Sequence, residues 1–292
     1  MKEEIKNIIV CPKCNGKLSL QKNELACLKC KHTYRIINKI PVFLDNLSYD
    51  EGSEESFRGK LKKYPSFFGI FEKIHLVLGP PNSNYSKKYC FMNEKIDFPL
   101  KSIIKGDELI LNIGSSSKKT HSKAINLDIG LFDNVDVVAD GKKLPFEDNS
   151  FDLVLIESVL EHIDEPEIVI KEAYRVLKNS GKMYISIPFT FVFHGSPNDF
   201  NRYTLNGLKK RLEITGFKVK KYGILSGPSS TISQMLRYYL ATLFSFNNDF
   251  LFSVFLNIFG WVTFPIKYFD LILNKYKKAH LMASMIYAIG EK

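Results

Sequence analysis

Beyond residue 30 the 292-residue chain holds a single cysteine, Cys90, and its only tryptophan is Trp261. So few thiols outside the N-terminus argue against a disulfide framework. No apolar stretch of export-signal length follows the charged opening Met1–Lys6, so the chain is expected to be cytoplasmic. No internal repeat or low-complexity tract stands out. Apolar residues at 45% and charged residues at 25% match globular averages, which argues against a fibrous or disordered chain. The length suits one large domain with a small companion, or two modest domains, with ample material for a core.

The net charge of +10 is concentrated at the ends. Residues 1–46 hold nine Lys and Arg against four acids, and residues 201–292 hold thirteen against four. The centre is mildly acidic. Basic ends can attract phosphate, on nucleic acid or on anionic lipid, or can serve solubility alone.

The other four cysteines form two close pairs, Cys11-Pro-Lys-Cys14 and Cys27-Leu-Lys-Cys30. This double pair suits four thiolates around one structural zinc; redox pairs or unbound thiols are the rival reading. Asn15-Gly16 and Lys31-His32 are expected to turn the knuckles of two small hairpins, with Leu18, Leu20, Leu25, Tyr34 and Ile36 packed behind them. A unit of about 40 residues buries too little to fold unaided, so the metal would supply the missing stability. A closed four-thiolate site leaves no position for chemistry, and His32 is expected at the surface. Cys90 reads as an ordinary core or boundary residue.

From about residue 108 short apolar strands alternate with helices: 108–114, 124–128, 135–140, 151–156 and 182–188, then 217–224 and 282–289. The pattern predicts a parallel sheet covered by helices. The helix before the fifth strand is expected to be capped by Asp164, to begin near Pro166 and to end before Gly181. Its apolar face is Ile168, Val169, Ala173, Val176 and Leu177. Another helix opens at Thr204 and stops at Gly216. In such a sheet ligands lie beyond the carboxyl ends of the strands. Gly114, Asp128, Asp140, Glu157 and His194 all fall there. A carboxylate after the second strand suits a ribose diol, and one after the third suits the exocyclic amine of adenine. Together they point to an adenosine-containing cofactor.

Three blocks carry a family resemblance. They are Asp140-Gly-Lys-Lys-Leu-Pro-Phe-Glu-Asp-Asn-Ser-Phe-Asp-Leu-Val-Leu155, Val159-Leu-Glu-His-Ile163, and Arg175-Val-Leu-Lys-Asn-Ser-Gly-Lys182. In this order and spacing they resemble the class I S-adenosylmethionine-dependent methyltransferases of the type 11 kind. The N-terminal forty residues resemble the small zinc ribbons of methyltransferase activators. The resemblance implies a Rossmann-like α/β fold with a seven-stranded sheet whose last strand is antiparallel. It places S-adenosylmethionine over Gly114, Ser116, Asp128, Asp140, Gly141 and Glu157. The glycine-rich turn departs from the family: it reads Asn112-Ile-Gly114-Ser-Ser116-Ser-Lys118, with one glycine and with Asn112 in place of an acid. The stretch to Asp128 is short as well. Weakened cofactor binding, or a scaffold that has lost its cofactor, follows as a rival reading.

The expected layout is a zinc ribbon at 1–46, a linker and N-terminal helices at 47–104, and a methyltransferase domain at 105–292. Residues 47–60 read as an acidic linker, and Pro80-Pro81 breaks the helices that follow. Between strands five and six, the segment Phe189–Thr204 would overhang the methyl group. His194 is the candidate base and Asp199 its orienting partner; alternatively Asp199 and Arg202 only pin the loop. His162 reads as a packing residue. An apolar helical insert at about 228–280 carries twelve Phe, Tyr or Trp residues between Tyr238 and Phe269. Two readings stand for it. One is peripheral contact of 235–273 with the inner face of a membrane, with Trp261 and the tyrosines at headgroup level. The other is a lid or dimer face. The expected acceptor is a small molecule, lipid-linked or a glycan. RNA is disfavoured, because the basic ends lack interleaved aromatics.

Overall fold

The computed structural model describes residues 2–45, 100, 102–116, 124–193, 195 and 198–292. The linker and helices expected between 47 and 99, Cys90, the stretch 117–123 and His194 lie outside the described residues.

Among the described residues eleven strands form one sheet, in the order β1-β2-β3-β4-β7-β6-β5-β8-β9-β11-β10. The half of the sheet beyond residue 108 uses β5 (Ile110–Ile113), β6 (Ala124–Asp128), β7 (Val137–Val138), β8 (Phe151–Glu157), β9 (Leu177–Pro188), β10 (Lys218–Ser226) and β11 (Met285–Glu291). β7, β6, β5, β8 and β9 run parallel, and β11 runs antiparallel between β9 and β10. The sheet has eleven strands instead of seven because the ribbon joins it. β1 (Leu18–Gln21), β2 (Glu24–Cys27), β3 (Thr33–Ile37) and β4 (Ile40–Val42) form an antiparallel meander. Val42 of β4 then pairs in parallel with Val138 of β7, and the Phe43 N–H donates to the Val138 carbonyl at 2.8 Å.

The ribbon is also fastened by α1 (Glu3–Ile8), a helix that the charged opening conceals. Ile5 is fully buried in the main core, the Val10 N–H donates to the Pro145 carbonyl at 3.0 Å, and Lys2 pairs with Asp136 at 2.8 Å. Leu25 and Tyr34 are buried as expected. Leu20 is exposed, on the outer face of the edge hairpin, and does not pack behind the knuckles.

The apolar strands alternate faces. Leu111, Ile113, Ile125, Leu127, Val154 and Ile156 face the core beneath α2 (Pro166–Val176) and α3 (Leu205–Thr215). Ile110, Ala124, Leu153, Leu155 and Tyr184 face a second core closed by Leu100 and Ile103. In α2, Val169, Ile170 and Val176 are fully buried, each worth about 1.5–3 kcal/mol by transfer from water. Pro166 takes the first position, but Asp164 is not the cap. The cap position is Glu165, without a side-chain bond, and Asp164 instead pairs with Lys142 at 3.1 Å. Ile168 points outward, and the fifth strand starts at Leu177, directly after the helix, so Gly181 lies inside β9. In α3 the Thr204 hydroxyl accepts from the Gly207 N–H at 3.1 Å, and Gly216 closes the helix at φ +109°, as its sequence dictates.

The insert is a helical hairpin, α4 (Pro228–Ser245) and α5 (Asp249–Thr263), followed by a 3₁₀ turn (Phe264–Phe269) and the short α6 (Asp270–Leu273). The Asp270 carboxylate, 2% exposed, accepts from the N–H groups of Gly227, Ser229 and Ser230 and from the Ser230 hydroxyl. An anion at this helix N-terminus satisfies donors that α4 cannot pair internally.

Candidate functional site

The parallel register gathers the strand-end residues. Ile113 pairs with Leu127 on one side and Ile156 on the other, so Gly114, Asp128 and Glu157 leave their strands abreast. Asp128 pairs with Val138, and Asp140 follows two residues later. Gly114 has φ +69°, and a Cβ there would lie 2.3 Å from Val159 Cγ2, so glycine alone fits. Ser116 adopts φ +50°, a conformation more often left to glycine or asparagine. Its N–H donates to Asp128 Oδ2 at 2.7 Å, while the Gly130 N–H donates to Oδ1 at 3.1 Å. The acid at the end of β6 thus holds the glycine-poor turn in place. Burial raises the Asp128 pKa above the ordinary carboxylate value, and the backbone donors of Ser116, Gly130 and Ile129 draw it back. With these three donors on its two oxygens the carboxylate keeps room for one more hydrogen bond, of the kind a ribose hydroxyl would make.

Asn112, where the family has an acid, is buried and donates to Asn126 Oδ1 at 3.2 Å; Asn126 in turn donates to the Asn134 carbonyl at 2.9 Å. The amide is engaged in a link between β5 and β6. Asp140 Oδ1 accepts from the Lys142 N–H at 2.8 Å, which closes the turn after β7. Gly141 is buried between the sheet and α2, where a Cβ would meet Ile113 Cγ2 at 3.2 Å and Val169 at 3.6 Å. Glu157 is half-buried at the end of β8.

In the loop after β9 the Asp199 side chain is buried and bound through both oxygens by Arg202. His162 Nδ1 shares a hydrogen bond with the Asn198 carbonyl, and the N–H groups of Phe200 and Asn201 donate to the Glu161 carbonyl. The loop is therefore docked on the 3₁₀ turn Leu160–His162. Sequence reasoning passed over Glu161. It is fully buried, its carboxylate is 4.0 Å from His162 Nε2, and burial pushes its pKa up to about 7. The readable signal was an acid enclosed by Val159, Leu160 and Ile163.

The four N-terminal cysteine Sγ atoms all lie within 4.8 Å of one another, with Cys11–Cys30 at 3.7 Å and Cys14–Cys27 at 3.5 Å. A tetrahedron of Zn–S bonds near 2.3 Å has edges of about 3.8 Å, so the set can hold that ion. Gly16 lets the knuckles close, since a Cβ there would sit 2.9 Å from Cys27 Sγ. Burial acts to raise the Cys27 thiol, yet the N–H groups of Cys30 and Lys29 bring it down to about 6. Burial pushes Cys14 up to about 12. Without a cation the cluster does not carry four thiolates at neutral pH. The Tyr34 hydroxyl lies 3.1 Å from Cys11 Sγ, and His32 packs edge-on against Tyr34, outside the cluster.

The description "Methyltransferase domain" matches residues 115–185, and "Trm112p-like protein" matches residues 2–38. The ubiquinone/menaquinone biosynthesis C-methyltransferase of Rickettsia bellii (strain RML369-C) is 33% identical over 176 residues, which are 47% of this chain and 71% of that protein. The Rickettsia prowazekii (strain Madrid E) protein of the same name is 35% identical over 96 residues, 32% of this chain and 38% of its own length. The first relatives are thus matched over well under half their length. Among solved structures, phosphoethanolamine N-methyltransferase 2 of Haemonchus contortus with S-adenosyl-L-methionine has a TM-score of 0.48 at 18% identity, over 81% of this chain and 60% of that one. On the R. bellii match and the sheet described above, the chain belongs to the class I S-adenosylmethionine-dependent methyltransferases and carries a Trm112p-like segment at its N-terminus.

Proposed function

We propose that the chain transfers the methyl group of S-adenosylmethionine to a small amphipathic acceptor, lipid-linked or a glycan, held beneath the 189–204 loop. The observation that carries this reading is the Asp128 carboxylate, which braces the Gly114–Ser116 turn at the end of β6 and keeps acceptor capacity for a ribose hydroxyl. When bound, the cofactor supplies an electrophilic methyl on a sulfonium. Asp128 would hold it by accepting from a ribose hydroxyl, and Asp140 by accepting from the adenine amine. Gly114 and Ser116 let the backbone approach the cofactor, with Gly141 and Glu157 shaping the same edge. The chain then chiefly aligns the acceptor. For a hydroxyl acceptor, His194 takes the proton and Asp199 orients it; for a carbon acceptor, the chemistry named for the Rickettsia relatives, positioning dominates.

In the same reading Cys11, Cys14, Cys27 and Cys30 hold one structural zinc. The segment 235–273 brings a cytoplasmic enzyme to the inner face of a membrane. The experiment is methyl transfer from labelled S-adenosylmethionine into fractionated cell extract. Label in an organic-soluble or glycan fraction is the expected result. The second reading is RNA methylation, favoured by the net positive charge of residues 1–46 and 201–292. It predicts nuclease-sensitive label and nucleic-acid binding that falls steeply with salt.

A further inference from the structure

We infer that the α4–α5 hairpin is a monotopic membrane element that lies in one leaflet of an anionic bilayer with its outer faces in the acyl layer. The inference rests on the membrane contact proposed above and names its partner and its mode.

Helix α4 has its polarity inverted. Ile232, Met235, Leu236, Tyr239 and Leu243 recur at i, i+3, i+4, i+7 and i+11, and all of them are exposed, Tyr239 at 65% and Leu243 at 55%. The buried side of the same helix is Ser229, Ser230, Thr231, Ser233, Gln234, Ala241 and Ser245. A helix on a water-soluble domain buries its apolar stripe. Here the polar stripe is buried, and its hydroxyls bond inward: Thr231 to the Met282 carbonyl at 2.6 Å and Ser233 to the Thr263 carbonyl at 2.8 Å. Small and hydrogen-bonding residues inside with apolar residues outside is the arrangement that hydrocarbon selects.

Helix α5 continues the same surface. Phe250, Ile258, Trp261 and Val262 are exposed, and only 11% of the most apolar 18-residue window between Asp249 and Leu273 is buried. The rings at Phe252, Phe255 and Phe259, which share a helical face by spacing, turn toward α4. Phe255 and Phe259 meet Phe244 at 5.7 and 5.5 Å, and Phe252 meets Tyr238 at 6.2 Å.

Topology excludes a single crossing, and α5, 15 residues or about 22 Å long, falls short of the roughly 30 Å of hydrocarbon that a paired crossing would have to clear. The chain enters the insert at Gly227 and returns to the same point, where Asp270 grips the N–H groups of Gly227, Ser229 and Ser230. The hairpin tip, Asn247-Asn248-Asp249, is polar and exposed, which keeps it at headgroup level. Lys275, Lys277 and Lys278 are exposed directly after α6, and in the apolar stretch between Arg237 and Lys267 the only acid is Asp249. This charge fits an anionic leaflet.

Trp261, the chain's single tryptophan and 46% exposed, reports the depth directly. The full-length protein is titrated with vesicles of phosphatidylcholine, with and without phosphatidylglycerol, and with lipids brominated at two acyl depths. The expected result is a blue-shifted emission in lipid, quenched more by bromine near the glycerol end than near the bilayer centre. Lys275→Gln, Lys277→Gln and Lys278→Gln together should weaken binding to anionic vesicles on the order of a hundredfold. Met235→Glu, Leu243→Glu and Val262→Glu together should weaken it at least tenfold, with circular dichroism and cofactor affinity unchanged. An emission indifferent to lipid overturns the inference. So does a shift that follows protein concentration, which marks a second copy as the occupant, or strongest quenching at the bilayer centre, which marks a span. Lipid binding without cofactor binding overturns the methyltransferase reading and leaves the hairpin assignment standing.

Discussion

Replacing Asp128 separates the two duties that its carboxylate performs. The side chain is 8% exposed and accepts the Ser116 N–H at 2.7 Å and the Gly130 N–H at 3.1 Å. Asp128→Ala leaves both donors without their charged acceptor and removes the acceptor proposed for the ribose. A hydrogen bond to a charged group contributes about 1.5–3 kcal/mol, so cofactor affinity should fall by roughly ten- to a hundredfold or more. Asp128→Asn keeps one carbonyl oxygen and turns an NH₂ toward a backbone N–H. The turn is then half held, and affinity should fall nearly as far as in Asp128→Ala. Isothermal titration with S-adenosylmethionine measures the affinity, and thermal melting without cofactor measures the turn. Burial raises the Asp128 pKa, so affinity should fall on acidification at a pH above that of an ordinary aspartate. Wild-type affinity in both variants would refute the placement of the ribose. Loss of thermal stability with cofactor affinity intact would leave Asp128 a purely structural acid.

Three further outcomes follow from the same geometry. Chelation of zinc, or Cys27→Ser with Cys30→Ser, should lower the melting temperature of the whole chain, because β4 pairs with β7; calorimetry showing loss of the ribbon alone would contradict this. Glu161, raised from 4.5 to about 7, binds more protons folded than unfolded between those values. Stability should therefore fall as pH rises through that window, by about 3 kcal/mol in all, and Glu161→Gln should flatten the slope in urea melts. Asp270→Ala removes the acceptor of three buried N–H groups and one hydroxyl, and should cost about 3–5 kcal/mol by chemical denaturation, with Asp270→Asn between it and wild type.

Local signals in this chain were readable because their causes are local. Thr204 and Gly216 bound α3 through bonds within one turn, and the strands around Ile113, Leu127 and Ile156 follow from apolar runs closed by glycine or acid. Cysteine spacing anticipated a cluster that can hold a metal ion. What sequence could not supply was partnership at a distance. Nothing near Asp164 indicates that Lys142 draws it away from the helix end, and nothing near Val42 names Val138 as its neighbour. The hairpin is the sharpest case. The period of Ile232, Met235, Leu236, Tyr239 and Leu243 announces an amphipathic helix, but period alone does not say which stripe faces in. That was decided by Asp270, Met282 and Thr263, which offer polar acceptors to the serine and threonine side.

The join between ribbon and sheet bears on the cofactor end as well as on stability. β7 is two residues long, the shortest strand of the sheet, and its neighbours are β6 and β4. Asp140 leaves the sheet directly beyond it. A strand of that length has few backbone bonds of its own: β6 holds its inner side, with the Asp136 and Ala139 N–H groups donating to the Asn126 and Asp128 carbonyls at 2.8 and 2.9 Å, and its outer side rests on the Phe43 N–H to Val138 bond at 2.8 Å and on the Lys2–Asp136 pair at 2.8 Å. Both of those outer contacts belong to the ribbon. Without a cation nothing ties the four cysteine sulfurs together, which loosens the knuckles, then β4, and then the outer support that β4 gives β7 among the described residues. Weakening should therefore be graded along the edge, largest at Asp140 and smaller at Asp128, which is braced independently by Ser116 and Gly130. Hydrogen exchange of metal-free against zinc-loaded protein tests the grading amide by amide. Equal loss of protection at Val138 and Ile113 would mean that the sheet yields as a unit, and that the ribbon stabilises it without positioning the adenine end.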